Sequence, residues 1–138
     1  MTGIQRVILA VIVATVLNIL TVDISAAERV YTTDEDQPVF AKLVFAADAL
    51  KTMTEIPFRI EFGDDPGHRP ILHSAVCSLT MPAMPMPANH PNLKCSKSTC
   101  TGTAVFTMAG AWQATFGLIM ENGANTSISI GIDMVEMK

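Results

Sequence analysis

The chain has 138 residues, with 9 Lys and Arg against 13 Asp and Glu, a formal net charge of −4. A mildly acidic chain without a basic cluster or a basic-aromatic stripe excludes the electrostatic footprint of a nucleic-acid binder. Its length suits one domain of common size.

Residues 1–27 differ from the rest. Arg6 precedes an apolar run from Val7 to Val22, broken only by Thr15, Asn18 and Thr21, and Ser25-Ala26-Ala27 follows. This order of charged start, apolar run and small residues is that of a secretory signal with a cleavage site. The alternative is an uncleaved anchor, although a span wants roughly 18 or more apolar residues and this run carries Asn18. Either way the domain is expected outside the cytoplasm, periplasmic or secreted if the signal is cleaved and membrane-anchored if it is not.

Residues 28–38 read as an extended lead-in with an acidic patch at Asp34, Glu35 and Asp36, and residues 39–138 read as the domain. Val39 to Ala46 is the first strand candidate, and Ala46 to Lys51 reads as a loop or a single helical turn. Thr54 to Phe62 alternates, with Ile56, Phe58, Ile60 and Phe62 on one face, the pattern of a half-buried strand. Gly63 to Gly67 is a turn by its residues. Pro70 to Thr80 is the next strand, with Ile71, His73, Ala75, Cys77 and Leu79 predicted on one face. From Met81 to Lys97 the prolines Pro82, Pro85, Pro87 and Pro91 confine the chain to a loop or sheet edge. Thr103 to Met108 and Ala111 to Met120 are predicted strands joined by a turn at Ala109-Gly110. Glu121-Asn122-Gly123 is a hairpin turn, and Ser127 to Val135 is the last strand. Six to seven short strands at this spacing predict an all-β sandwich or barrel.

Three cysteines fall in this domain, Cys77, Cys95 and Cys100. In an oxidising compartment at most one internal pair forms and one thiol is left over. Cys95 and Cys100 flank a short polar stretch and could close a hairpin. A pair of Cys77 with either of them is the alternative, and Cys77 also fits a core position.

The segment with chemistry in it runs from Met81 through Met84 and Met86 to His90. Thioethers are soft, neutral ligands that suit Cu(I) and form no disulfides. An imidazole adds affinity and admits Cu(II). Prolines between the methionines hold the backbone extended and limit the entropy lost on binding. Against this, methionine is a good filler of irregular core gaps, and a Met-Pro loop can close a sandwich and bind nothing. His68 and His73 read as solvated or partly buried histidines. Met108 could reach a loop at the same end but is expected to pack in the core, Met134 and Met137 have no partner in the pattern, and Trp112 reads as a core plug. No nucleophile elbow, paired carboxylates, phosphate loop or HExxH motif is present, so an enzyme is not expected.

Ala75-Val76, Met81-Pro82-Ala83-Met84, Met86-Pro87 and the stretch Phe106-Thr107-Met108-Ala109-Gly110-Ala111-Trp112 resemble the FixH/YtkA-like domain family. The resemblance covers roughly Phe40 to Val135 and is concentrated in these two motifs. It implies a small immunoglobulin-like β-sandwich after the N-terminal signal helix, exported or membrane-anchored, in a family some of whose members are linked to copper handling or to assembly of copper oxidases. Met81, Met84 and Met86 match its Met-Pro loop and Trp112 its core Trp. The chain departs from the family pattern in its three cysteines and in a longer, more polar stretch from His90 to Thr101. The expectation is therefore an exported copper-binding or copper-handling protein with Met81, Met84, Met86 and His90 as ligands and Cu(I) favoured. Its partners would be the ion itself or a copper-enzyme assembly partner, with no nucleic acid and no membrane contact beyond an uncleaved signal. The alternative is a non-metal interaction module whose Met-Pro loop contacts a partner or a membrane complex.

Overall fold

A computed structural model describes residues 27–63 and 69–138. The expected signal segment, apart from Ala27, and His68 lie outside the described residues. The described chain is all-β, with eight strands in chain order: β1 (Arg29–Thr32), β2 (Ala41–Phe45), β3 (Ile56–Phe62), β4 (Leu72–Thr80), β5 (Lys94–Ser96), β6 (Thr99–Ala104), β7 (Gly110–Met120) and β8 (Asn125–Val135). Five form one sheet in the order β1-β2-β3-β6-β5, and three form the other in the order β4-β7-β8. All strand pairs are antiparallel. Without β1, the order is that of the seven-stranded immunoglobulin constant-type sandwich, four strands against three.

Two-residue alternation explains the core. Ile56, Phe58, Ile60 and Phe62 of β3 are buried as their spacing predicts. They meet Trp112, Ala114, Phe116 and Leu118 of β7 and Ile128, Ile130 and Ile132 of β8. Edge-on aromatic contacts tie the layers, with Phe62 of β3 to Phe116 of β7 at 6.2 Å and Phe106, between β6 and β7, to Trp112 at 5.3 Å between ring centres. Such pairs add about 1 kcal/mol beyond the area they bury.

Three expectations are corrected. The lead-in contains strand β1, which pairs with β2 from Arg29 opposite Phe45 to Thr32 opposite Lys42. Val30, Tyr31 and Thr32 are good strand formers, but four residues with none fully buried are too short to show an apolar-polar alternation, and pairing with β2 supplies the order. In β4 a register shift between Leu72 and Ser74 changes which face is inward. Leu72 enters the core while Ile71 and His73 are exposed, and only Cys77 and Leu79 of the predicted inward set are fully buried. Thr103 to Met108 is not a strand hairpinned to β7. β6 ends at Ala104 and belongs to the other sheet, so Val105 to Ala109 crosses between sheets. Phe106 is fully buried by that crossing. Of the two readings of Ala46 to Lys51, the loop holds over residues 46–50.

The β5–β6 hairpin carries the disulfide. Cys95 and Cys100 stand opposite each other in the ladder and are bonded, and Cys77 is a buried free thiol. The bond lies within one hairpin, unlike the inter-sheet bridge of antibody domains.

Candidate functional site

The Met-Pro loop connects β4 in one sheet to β5 in the other. Its two ends are tied together. Leu79 and Asn89 exchange a pair of backbone hydrogen bonds, 2.7 and 3.0 Å, so Thr80 to Ala88 form a closed loop. The Asn89 side chain donates to the Val105 carbonyl at 2.7 Å, which fastens the loop to the crossing segment. Inside the loop a turn brings the Met84 amide to the Met81 carbonyl at 3.2 Å. Proline supplies no competing donor at Pro82, Pro85 or Pro87.

This frame separates the predicted ligands. Met81 is 7% exposed and belongs to the core. Its terminal methyl lies 3.0 Å from where a Cβ on Gly110 would stand. Gly110 opens β7 with φ +127°, in the region that only glycine occupies at low cost. The residue that starts the Gly-Ala-Trp stretch is thus the one that makes room for the first methionine of the Met-Pro loop. Met84 is 45% exposed. Met86 is partly buried against the core. The core-filling alternative therefore holds for Met81, partly for Met86 and not for Met84.

His90 is exposed beside β4. Its Nδ1 lies 3.1 Å from Ser78 Oγ and 3.3 Å from the Cys77 carbonyl oxygen. A carbonyl only accepts, so that contact favours the proton on Nδ1 and the lone pair on Nε2. This is the arrangement commonly found in ligating histidines. Met81 and His90 do not share a face, because Cys77 and Leu79 of β4 are buried and Ser78 points away from them.

Other predicted residues fall as follows. Trp112 is buried, and its indole N–H donates to the Met108 carbonyl at 2.9 Å. The Met108 side chain, expected in the core, is 39% exposed because the crossing segment buries Phe106 instead. His73 is exposed at the β4 irregularity. Cys77 sits deep in the sandwich, where burial pushes its thiol up to about 12, an inert position for a ligand or nucleophile at neutral pH.

Sequence reading missed Met53, and it left Met137 without a partner. Their position emerges only on folding. Lys51 and Thr52 lie between the ends of the two sheets, bridged to Glu136 on one side and Phe106 on the other. Two further exposed methionines, 64% for Met53 and 75% for Met137, are thereby brought to the same end of the sandwich as the Met-Pro loop.

Among the described residues, no group of three or more His, Cys, Asp and Glu is placed to hold a metal ion. A groove of about 610 Å3 lies against the five-stranded sheet and is lined in part by Val44, Arg59, Lys94 and Thr101. Its Arg59 is held by Glu28 at 3.1 Å. Comparison with protein families, curated proteins and solved structures finds no match to this chain.

Proposed function

We propose that this chain is an exported, non-catalytic copper-handling protein of the FixH/YtkA-like type that offers Cu(I) soft sulfur from its Met-Pro loop. Met84 and Met86 are the donors, His90 adds Nε2, and Met81 anchors the loop in the core. The observation that carries this reading is Met84. It stands 45% exposed on a loop closed by the Leu79–Asn89 pair. A large apolar side chain held out to solvent on a fixed backbone has no core to fill. Export supports the choice of ligand, because thioethers keep their lone pairs where thiols oxidise. The Cys95–Cys100 bond is compatible with such a compartment.

The competing reading makes the loop a contact for a protein partner. It is favoured by the exposed Pro82, Ala83 and Pro85 that flank Met84. A titration separates the two. The protein lacking residues 1–27 is titrated with Cu(I) against a colorimetric chelator, alongside Met84→Leu/Met86→Leu. Leucine keeps the apolar surface and removes sulfur. Weakening of Cu(I) binding by tenfold or more supports ligation. Unchanged binding removes the loop as a site, and no binding by the parent removes copper altogether.

A further inference from the structure

The methionines of this domain are not scattered. Of the eight beyond Met1, only Met120 belongs to the opposite end, at the turn between β7 and β8. Strand directions fix the others. The C-terminal end of β4, the N-terminal end of β7 and the C-terminal end of β8 are neighbours, through Thr80 opposite Gln113 and Gly110 opposite Val135. In the other sheet the start of β3 lies beside the end of β6, Ile56 opposite Ala104.

Thr52 joins these ends. It is 3% exposed. Its amide donates to Glu136 O at 2.9 Å, and the next amide, of Met53, donates to Phe106 O at 2.8 Å. Its Oγ1 receives the Lys138 amide at 3.1 Å and lies 4.0 Å from Met137 Sδ. The segments carrying Met53, Met108 and Met137 therefore flank one buried threonine.

Two features set this group apart from ordinary surface methionine. All three side chains are exposed, at 64%, 39% and 75%. Met53 also occupies the left-handed region at φ 55°, a conformation unfavourable for a side chain of this size. It persists because hydrogen bonds hold the backbone on both sides, and strain of this kind concentrates at functional positions. Exposed methionine side chains on three tied segments gain little from burial. Each has three rotatable bonds with which to reach a common point.

We propose that Met53, Met108 and Met137 form a second, all-thioether site for a soft monovalent cation, Cu(I) or Ag(I), at the Thr52 end of the sandwich. Three neutral sulfurs match the low-coordinate, sulfur-rich preference of such ions and discriminate against hard divalent cations. The site is separate from the Met-Pro loop and does not depend on that loop ligating.

The test uses Met53→Leu/Met108→Leu/Met137→Leu, the Met84→Leu/Met86→Leu variant and the parent, each without residues 1–27 and each titrated with Cu(I) against a competing chelator and with Ag(I) by calorimetry. The near-UV signal of Trp112 reports that each variant is folded, and Met53→Leu alone serves if the triple variant is not. The expected result is that the variant at Met53, Met108 and Met137 takes up one equivalent fewer than the parent, whatever the loop variant does. The single Met53→Leu change is expected to weaken one equivalent tenfold or more. A deficit in both variants means two sites. A deficit only in the loop variant overturns this proposal and leaves the loop reading intact. Cu(I) uptake equal to the parent in the triple variant, or in folded Met53→Leu where the triple variant does not fold, overturns it, and no uptake by the parent overturns both.

Discussion

Met81 and Gly110 are 29 positions apart, yet each is shaped by the other. The Met81 methyl occupies the space a Cβ at Gly110 would need, and the backbone there is in glycine territory. Cys77 shows a different kind of residue-scale constraint. Its thiol is surrounded by apolar side chains, and desolvation raises it from 9.0 to about 12. Tyr31, hydrogen-bonded to Asp133 at 3.1 Å, rises from 10.0 to about 12 mainly through burial. In both cases the folded state keeps a proton that the unfolded chain releases. Stability is then fully present below the unfolded value and falls as pH rises toward the folded one. The urea midpoint is expected to hold from pH 7 to about 9 and to decline above it, first through Cys77 and then, above about 10, through Tyr31. Cys77→Ala should remove the earlier part of the decline while lowering stability throughout through the cavity it leaves. A parent midpoint still flat at pH 10.5 would contradict the assignment.

At the scale of elements, the β5–β6 hairpin depends on its disulfide more than on packing. β5 is three residues long and wholly exposed, whereas Cys100 of β6 is fully buried. The bond fastens an edge strand to the core. Closing a loop of this size constrains the unfolded chain by about 2 kcal/mol on the chain-entropy model. Cys95→Ser, a change at an exposed position, should therefore lower Tm by roughly 10 °C for a domain of this length. An unaltered Tm would mean that the hairpin holds itself. The same hairpin marks what the sequence made legible. The Cys95 and Cys100 spacing around a polar stretch pointed to it, as the alternation of Ile56, Phe58, Ile60 and Phe62 pointed to β3 and Asn122-Gly123 to the β7–β8 turn. Local patterns carry such elements because their signals sit within a few residues. β1 was illegible because four residues with none fully buried show no apolar-polar alternation, although Val30, Tyr31 and Thr32 favour a strand. The face of β4 was misread because the irregularity at Leu72 and Ser74 reverses the phase without any Gly or Pro to announce it. Ala109-Gly110 resembled a hairpin turn, but the chain around it changes sheets, and strand order is a long-range property. The candidate site divides in the same way. Met84 and His90 could be picked out from the Met-Pro run, whereas the convergence of Met53 and Met137 on Thr52 requires the finished sandwich.

The whole molecule is polar in the geometric sense, with most of its sulfur at one end. That asymmetry makes oxidation a probe of the entire arrangement. Peroxide converts accessible thioethers to sulfoxides, which are polar and no longer soft donors. Exposure orders the residues: Met53, Met84, Met108, Met134 and Met137 lie between 39% and 75%, and Met81 at 7%. Under mild peroxide the exposed group should oxidise first, as read by peptide mass spectrometry, while Met81 persists until the domain unfolds. Sulfoxides at exposed positions remain solvated, so the near-UV signal of buried Trp112 should survive. Cu(I) uptake should not, because both proposed sites lose their donors together. Restoring the thioethers with methionine sulfoxide reductases should restore uptake. Early loss of Met81 sulfur would contradict its core placement. A folded protein with Met53, Met84, Met108 and Met137 oxidised that still binds Cu(I) as before would show that exposed sulfur is not what holds the ion.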